Sequence, residues 1–404
     1  MRKKITSLFT ALLFLGTLTA QTWEQKSSNP GDGRHHPVTF SLDGKGYMTT
    51  GTTNSQGGTD DFYQYDPVTD TWTTLPDFPG ADRSFSIGDT WDGKAYIGFG
   101  LTPSNFSLDD LWEYDATSGN WTELATCPCA GRLHPTFVIE DGLLFVGMGN
   151  NNSGTLNDWW EYNISTDTWR ALADLPGPGR HHPYMFSSNG DVYTGLGHGN
   201  GGVIFDTWYK WDITNEAWVQ MNDFPSEGRV AGTQFSIGDR GFVLSGDGDN
   251  HSSMTSGEFW EYNHLNDSWR ELPPHPGISR WAPGSFAIGD VVYFGAGEIR
   301  LGTDAGLEND MWSFDLDAIV SVATEDQLAE ITVYPNPATS SIQLKGVSPE
   351  DNAEILITNS TGQSVLKQKY NGGEINIMNL KAGFYFLTLQ KNNKSVERIK
   401  FIKH

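Results

Sequence analysis

Two copies of one short string carry most of the reactive side chains: Gly33-Arg34-His35-His36-Pro37 and Gly179-Arg180-His181-His182-Pro183. A partial third copy holds Arg132 and His134. An imidazole changes charge near neutral pH, so such pairs can take up a proton, hydrogen-bond a sugar or bind a metal. The arginine recurs more widely. Arg34, Arg83, Arg132, Arg180, Arg229 and Arg280 stand 48 to 51 residues apart. A guanidinium presents a planar fork of donors that matches a carboxylate. Either the six cations ring an opening and hold an anionic group, such as a sugar carboxylate or a peptide acid, or each pairs with an acid of a neighbouring repeat. Asp61, Asp110, Asp158, Glu258 and Asp310 are spaced to do the latter. Trp281, beside Arg280, is a stacking surface for a sugar ring or a piece of loop packing.

The candidate binding set is therefore Arg34, His35, His36, Arg83, Arg132, His134, Arg180, His181, His182, Arg229, Arg280 and Trp281. No metal site is assigned, because a metal between facing imidazoles needs short distances and a third ligand that the spacing does not place. Asp247-Gly248-Asp249-Asn250-His251 alternates oxygen donors but lacks the closing bidentate Glu of a calcium loop. Calcium at Asp247 and Asp249 is not expected, nor any other cofactor. Cys127 and Cys129 flank Pro128 and read as loop thiols or a bridge, against a metal or redox site with His134. No Ser-His-Asp order, phosphate-cradling glycine loop or paired catalytic carboxylates can be argued.

The elements that position these residues repeat with the arginine. Thirteen residues after each Arg is an aromatic: Tyr47, Tyr96, Phe145, Tyr193, Phe242 and Tyr293. Seventeen after is a glycine: Gly51, Gly100, Gly149, Gly197, Gly246 and Gly297. A motif of the type Trp112-Glu113-Tyr114-Asp115 follows in each unit, and its two aromatics share one face of a strand. A Trp comes next in five units: Trp72, Trp121, Trp169, Trp218 and Trp269. Each unit holds four short β-branched and aromatic runs between turn signals. Four antiparallel strands repeated radially make a propeller blade. The sixth Trp is missing from its own unit, but Trp23 precedes Arg34 by the same eleven residues that separate Trp72 from Arg83. Residues 21–25 are therefore expected to close the ring as the outer strand of the last blade.

This pattern resembles the kelch repeat over residues 21 to 317, with one glycine rather than two at most second-strand ends. The resemblance implies an all-β fold, a six-bladed kelch-type β-propeller. It leaves function open, because kelch-like propellers include protein-binding modules, sugar oxidases and a sialic-acid epimerase. The connection between the second and third strands alone varies in length, so one face carries the variable loops on which binding usually lives.

Composition bounds the rest. Net charge is −24, yet 13% of residues are aromatic, which marks a folded acidic protein. Such a balance excludes a general nucleic-acid surface. Residues 1–20, with Arg2-Lys3-Lys4 before an apolar run and Ala20 at its end, read as a signal peptide. The mature chain is expected to hold no transmembrane segment and to be a monomer. Residues 318–328 read as a linker. Residues 329–404 invert the charge balance, with nine Lys and Arg against six Asp and Glu, and alternate like the strands of a small β-sandwich C-terminal domain. Val333-Tyr334-Pro335-Asn336-Pro337-Ala338, then Ala382-Gly383-Phe384-Tyr385, then Lys400-Phe401-Ile402-Lys403 resemble the type A sorting domain of the Bacteroidota type IX secretion system. That resemblance implies export through the periplasm to the outer surface or the medium, with the type IX machinery as partner. It also gives Pro335, Asn336, Pro337, Gly383, Lys400 and Lys403 as sorting residues.

The functional expectation is a secreted or surface-attached binding module for a glycan or protein. The alternative is an enzyme on acidic sugars of the epimerase kind, with His36, His134 or His182 as base. Deleting residues 329–404 is expected to trap the protein in the periplasm. Fractionation of cells and medium checks this, and normal release would refute the sorting role.

Overall fold

The computed structural model describes residues 23–302, 305–316, 332–345, 354–359, 364–370, 372–391 and 394–404. The expected signal peptide at 1–20 and linker at 318–328 lie outside the described residues. The chain divides into two compact units, Met1–Val322 and Ala323–His404.

Six four-stranded antiparallel sheets make up the first unit. Blade one runs Val38–Leu42, Lys45–Thr49, Phe62–Asp66 and Thr71–Leu75. Blade four, which carries the second histidine pair, runs Tyr184–Ser188, Asp191–Gly195, Trp208–Asp212 and Ala217–Gln220. The period-two pattern shows why these residues form strands: Val38, Phe40 and Leu42 are buried while Thr39 and Ser41 between them are not. The first two strands of blades one to four join through Asp-Gly or Asn-Gly. Asp43 and Gly44, at φ 49° and 71°, show the left-handed pair that such a two-residue hairpin requires.

The innermost strands of successive blades touch in a closed cycle, Val38–Leu42 meeting Gly284–Ile288 of blade six. Closure is completed outside as well. Glu24–Lys26 pairs with Met311–Asp315, with Lys26 opposite Met311 and Gln25 opposite Trp312. Trp23 packs among Phe259, Phe294 and Phe314. Its indole N–H donates to Pro273 O at 3.2 Å. Trp72, Trp169 and Trp218 do the same to Ser27, Ala125 and Ala173 of the preceding blade. Four blades thus gain an interblade hydrogen bond from an indole in addition to its burial, and a fully buried large aromatic contributes roughly 2–3 kcal/mol.

The recurring glycine ties blade to blade nearer the axis. Gly51, Gly100, Gly149, Gly197, Gly246 and Gly297 each donate the backbone N–H to the carbonyl of the next blade's arginine, and Gly297 to Arg34 closes the cycle at 2.7 Å. All six have positive φ, between 83° and 107°. The residue before each, from Thr50 to Ala296, also holds a left-handed φ of 55° to 61°. The backbone of a double glycine is therefore kept even where only its second glycine is present.

The second unit is a sandwich of two sheets. One contains Thr332–Tyr334, Ser341–Lys345 and Ile375–Asn376. The other contains Ser364–Lys369, Glu354–Asn359, Gly383–Lys391 and Lys394–Lys403. Ile342, Leu344, Ile355, Ile357, Leu387 and Phe401 fill the space between them. The three sorting motifs, distant in sequence, meet here. Asn336 Oδ1 accepts the Ile402 N–H at 2.9 Å, Ala338 and His404 are backbone-bonded, and Gly383 pairs with Lys403 and Phe386 with Lys400.

A Cβ at Gly197 would lie 2.7 Å from the His181 carbonyl at φ 83°. Gly197→Ala is therefore expected to lower unfolding stability by about 2 kcal/mol or more in urea denaturation. A loss below about 0.5 kcal/mol would contradict this account of the glycine.

Candidate functional site

Each arginine stands just before the innermost strand of its blade, and all six are buried. Their side chains run sideways into their own blades and do not ring an opening. Arg83 forks onto Asp110 at 2.7 and 2.6 Å, and Arg132 onto Asp158 at 2.6 and 2.7 Å. Arg34 and Arg280 fork likewise onto Asp61 and Asp310, and Arg229 reaches Glu258 at 2.9 Å. The acid comes from the same repeat, not the neighbouring one, because it opens that blade's third strand beside the arginine. Each acid also accepts from the aromatic two residues on: Tyr63, Trp112, Trp160, Trp260 or Trp312. Burial alone would raise these carboxyls, but the Arg34, Arg132 and Arg280 contacts hold Asp61, Asp158 and Asp310 below their usual range. The expectation of an anion-binding arginine ring is thereby corrected: the forks are already filled.

Arg180 is the exception. Thr207 stands where the other blades have an acid, and Arg180 Nη1 reaches only Thr207 Oγ1 and Leu196 O, both at 3.1 Å. Its guanidinium lies over Phe205 at 4.3 Å. Burial pushes its pKa down to about 10.

The mouth of the channel belongs to the histidines. His36, His134 and His182 each follow their arginine by two and hold left-handed φ of 53°, 48° and 50°. The same position is left-handed in the other blades, as Phe85, Ala231 and Ala282. Blades one and four meet across the axis, with His36 Nε2 2.9 Å from His182 Nε2. His35 Nδ1 lies 2.6 Å from His36 Nδ1, and His181 Nδ1 2.7 Å from His182 Nδ1. His181 Nε2 continues to His198 Nδ1 at 2.6 Å. Five imidazoles thus form one row of four contacts. A neutral imidazole has one donor and one acceptor, so the row is satisfied if every ring is neutral and faces the same way. Burial first, then neighbouring imidazoles, hold His36, His134 and His182 well below the ordinary histidine range. Burial likewise lowers His35 and His181 to about 4. His134 packs against Phe85, His36 and His182, and neither of its ring nitrogens has a hydrogen-bond partner among the described residues.

Under this plug lies a cavity of about 100 Å³, walled by residues of all six blades, among them Val38, Ile87, Pro135, Met185, Thr233 and Ser285. It has room for several waters. Trp281 makes T-shaped contacts with His35 and His36 at 4.7 and 4.6 Å, and Arg300 lies over its ring at 4.9 Å, so one face is already covered. Asp247 is buried against Arg300, with His251 Nδ1 at 3.6 Å, which turns its carboxylate away from a calcium loop with Asp249. Cys127 and Cys129 are joined in a disulfide and buried against the Phe137 cluster, so neither thiol is free for metal or redox work with His134. Sequence reasoning missed His198, His251 and Arg300. A signal existed for His198. It follows the marker glycine directly, and residues there bridge to the residue after the marker arginine, as His198 does to His181 and Glu298 to Trp281.

The six closed blades and their arginine clamps define a kelch-type propeller, and the second unit defines a type IX secretion sorting domain. Matches to known families agree: a Kelch motif over residues 51–79 and a secretion system C-terminal sorting domain over residues 332–404. The chain is accordingly one exported by the type IX system, to the cell surface or the medium. Among solved structures, that of YjhT aligns with a TM-score of 0.56 at 16% identity, covering 63% of this chain and 89% of that one. At that identity the likeness speaks of fold alone. No curated protein matches the chain. No helix among the described residues is long and apolar enough to cross a membrane.

Placing an acid opposite Arg180 should complete the sixth clamp. Thr207→Asp is expected to raise unfolding stability by about 1–2 kcal/mol in urea titration. An unchanged or lower stability would mean that Arg180 does not lack a partner.

Proposed function

We propose that this exported propeller is a binding module that receives a glycan or a protein on the face carrying its variable connections. The observation behind this reading is the engagement of the arginines. With five of the six guanidiniums paired to carboxylates, four of them by two-bond forks, the mouth has no ring of free cations to clamp a sugar acid. The channel is plugged at the same level, so a ligand larger than a few waters rests on the loops. Those loops expose apolar tips in alternate blades: Phe106 in blade two, Val203 in blade four and Leu301 in blade six, at 63, 50 and 48% exposure. Exposed apolar groups on rigidly held loops are the usual contacts of a binding face. The acidic-sugar enzyme loses its substrate clamp by the same argument.

The test uses the purified mature chain on arrays of glycans and of outer-surface proteins. Phe106→Ser, Val203→Ser and Leu301→Ser combined should weaken retention at least about tenfold, the equivalent of about 1.4 kcal/mol. Retention unchanged in that variant, or turnover of a sialic or uronic acid by the parent protein, would overturn the reading.

A further inference from the structure

We infer that His36, His134 and His182 form a three-imidazole site for a first-row transition-metal ion, Zn²⁺ or Cu²⁺, at the mouth of the channel. One ring nitrogen from each lies within 4.8 Å of the others. Three nitrogens bound to one ion at 2.0–2.1 Å in a tetrahedral arrangement are about 3.3 Å apart. The His36–His182 contact of 2.9 Å therefore needs to open by only a few tenths of an ångström. Imidazole nitrogen suits zinc and copper, and all-nitrogen donors disfavour calcium and magnesium.

The surrounding hydrogen bonds fit the same assignment. If His36 and His182 give their Nε2 lone pairs to an ion, each carries its proton on Nδ1. Each Nδ1–H then donates to a second histidine, His35 at 2.6 Å and His181 at 2.7 Å. His181 passes its own N–H to His198 at 2.6 Å. Three of the four contacts in the row survive, every ring stays neutral, and only the His36–His182 contact is exchanged for two metal bonds. Ligating histidines in metal sites are held by this kind of outer hydrogen bond. His134 supplies the third nitrogen, and no protein hydrogen bond competes for it among the described residues.

The left-handed turn is common to all six blades, and what distinguishes this site is which side chains stand on it. Left-handed geometry is unfavourable at a residue with a Cβ. Blades five and six meet this position with alanine, the smallest such residue, as Ala231 and Ala282. Blades one, three and four place a histidine there, and the three rings converge. The three ligands also line the cavity below, which leaves space for a water or a small anion in the fourth position. This site departs from the expectation of no metal, and it does not depend on the ligand-binding reading.

The experiment uses the full mature chain without a polyhistidine tag, stripped with chelator and dialysed against ZnCl₂, then weighed for metal by mass spectrometry. One equivalent per chain is expected. His134→Gln should lower zinc affinity at least about tenfold in competition with a chromophoric chelator, while His264→Gln, remote from the mouth, should leave it unchanged. Should His134→Gln fail to fold, the unaltered chain still decides. Substituted Co²⁺ in a three-imidazole tetrahedral site gives intense visible d–d absorption, whereas octahedral cobalt on surface groups gives weak bands. Uptake well below one equivalent, a weak octahedral cobalt spectrum, or zinc affinity indifferent to His134→Gln would overturn the assignment.

Discussion

The structure depends on one residue used in two directions. Each recurring arginine offers its backbone carbonyl to a glycine of the preceding blade, and all but Arg180 offer the side chain to an acid of their own blade. The first contact sets the distance between blades. The second fixes the third strand against the start of the first within a blade. Neither works alone: a guanidinium buried without its acid is a desolvated charge, and a glycine without its acceptor is a buried orphan donor. The fork geometry explains why arginine, and not lysine, holds the position in blades one, two, three and six.

Much of this fold was legible because the repeat is rigid in the right places. The intervals from Trp to Arg and from Arg to Gly are constant, so blade number, strand order and the closing role of Trp23 could be counted. The arginine side chain was harder to place. Sequence spacing identifies Asp61 and its equivalents as partners without saying whether they belong to the same blade or the next, and that difference depends on how the third strand lies beside the first. The site was half legible. His36 and His182 follow from a matched string on blades expected to face each other. His198, His251 and Arg300 come from loops of unequal length, where position in the chain says little about position in space. That the histidines plug the channel depends on a left-handed turn, for which His134, Phe85 and Ala231 share no residue type.

That turn deserves weighing against the rest of the interior. The propeller is sealed by pairs of aromatics between sheets, such as Phe62 on Tyr114 and Tyr193 on Tyr262, which are apolar and non-directional. The axis is different. It collects imidazoles whose hydrogen bonds must agree in direction along a row, in a setting where a missing partner is costly. A stable scaffold permits such a row, since the aromatic layers and arginine clamps carry the folding free energy while the axis bears the strain.

The last blade is assembled from the two ends of the propeller. Strand Met311–Asp315, from which the chain runs on towards the sorting domain, lies inside its sheet, bonded to Val291–Gly295 on one edge and to Glu24–Lys26 on the other. A pull applied through the tail therefore loads an inner strand held along both edges, and not a free outer one. Under tension, the short N-terminal strand works as a mechanical latch. While it is seated the ring resists being unzipped from its C-terminal end, and when it is displaced blade six is left with an open edge to peel.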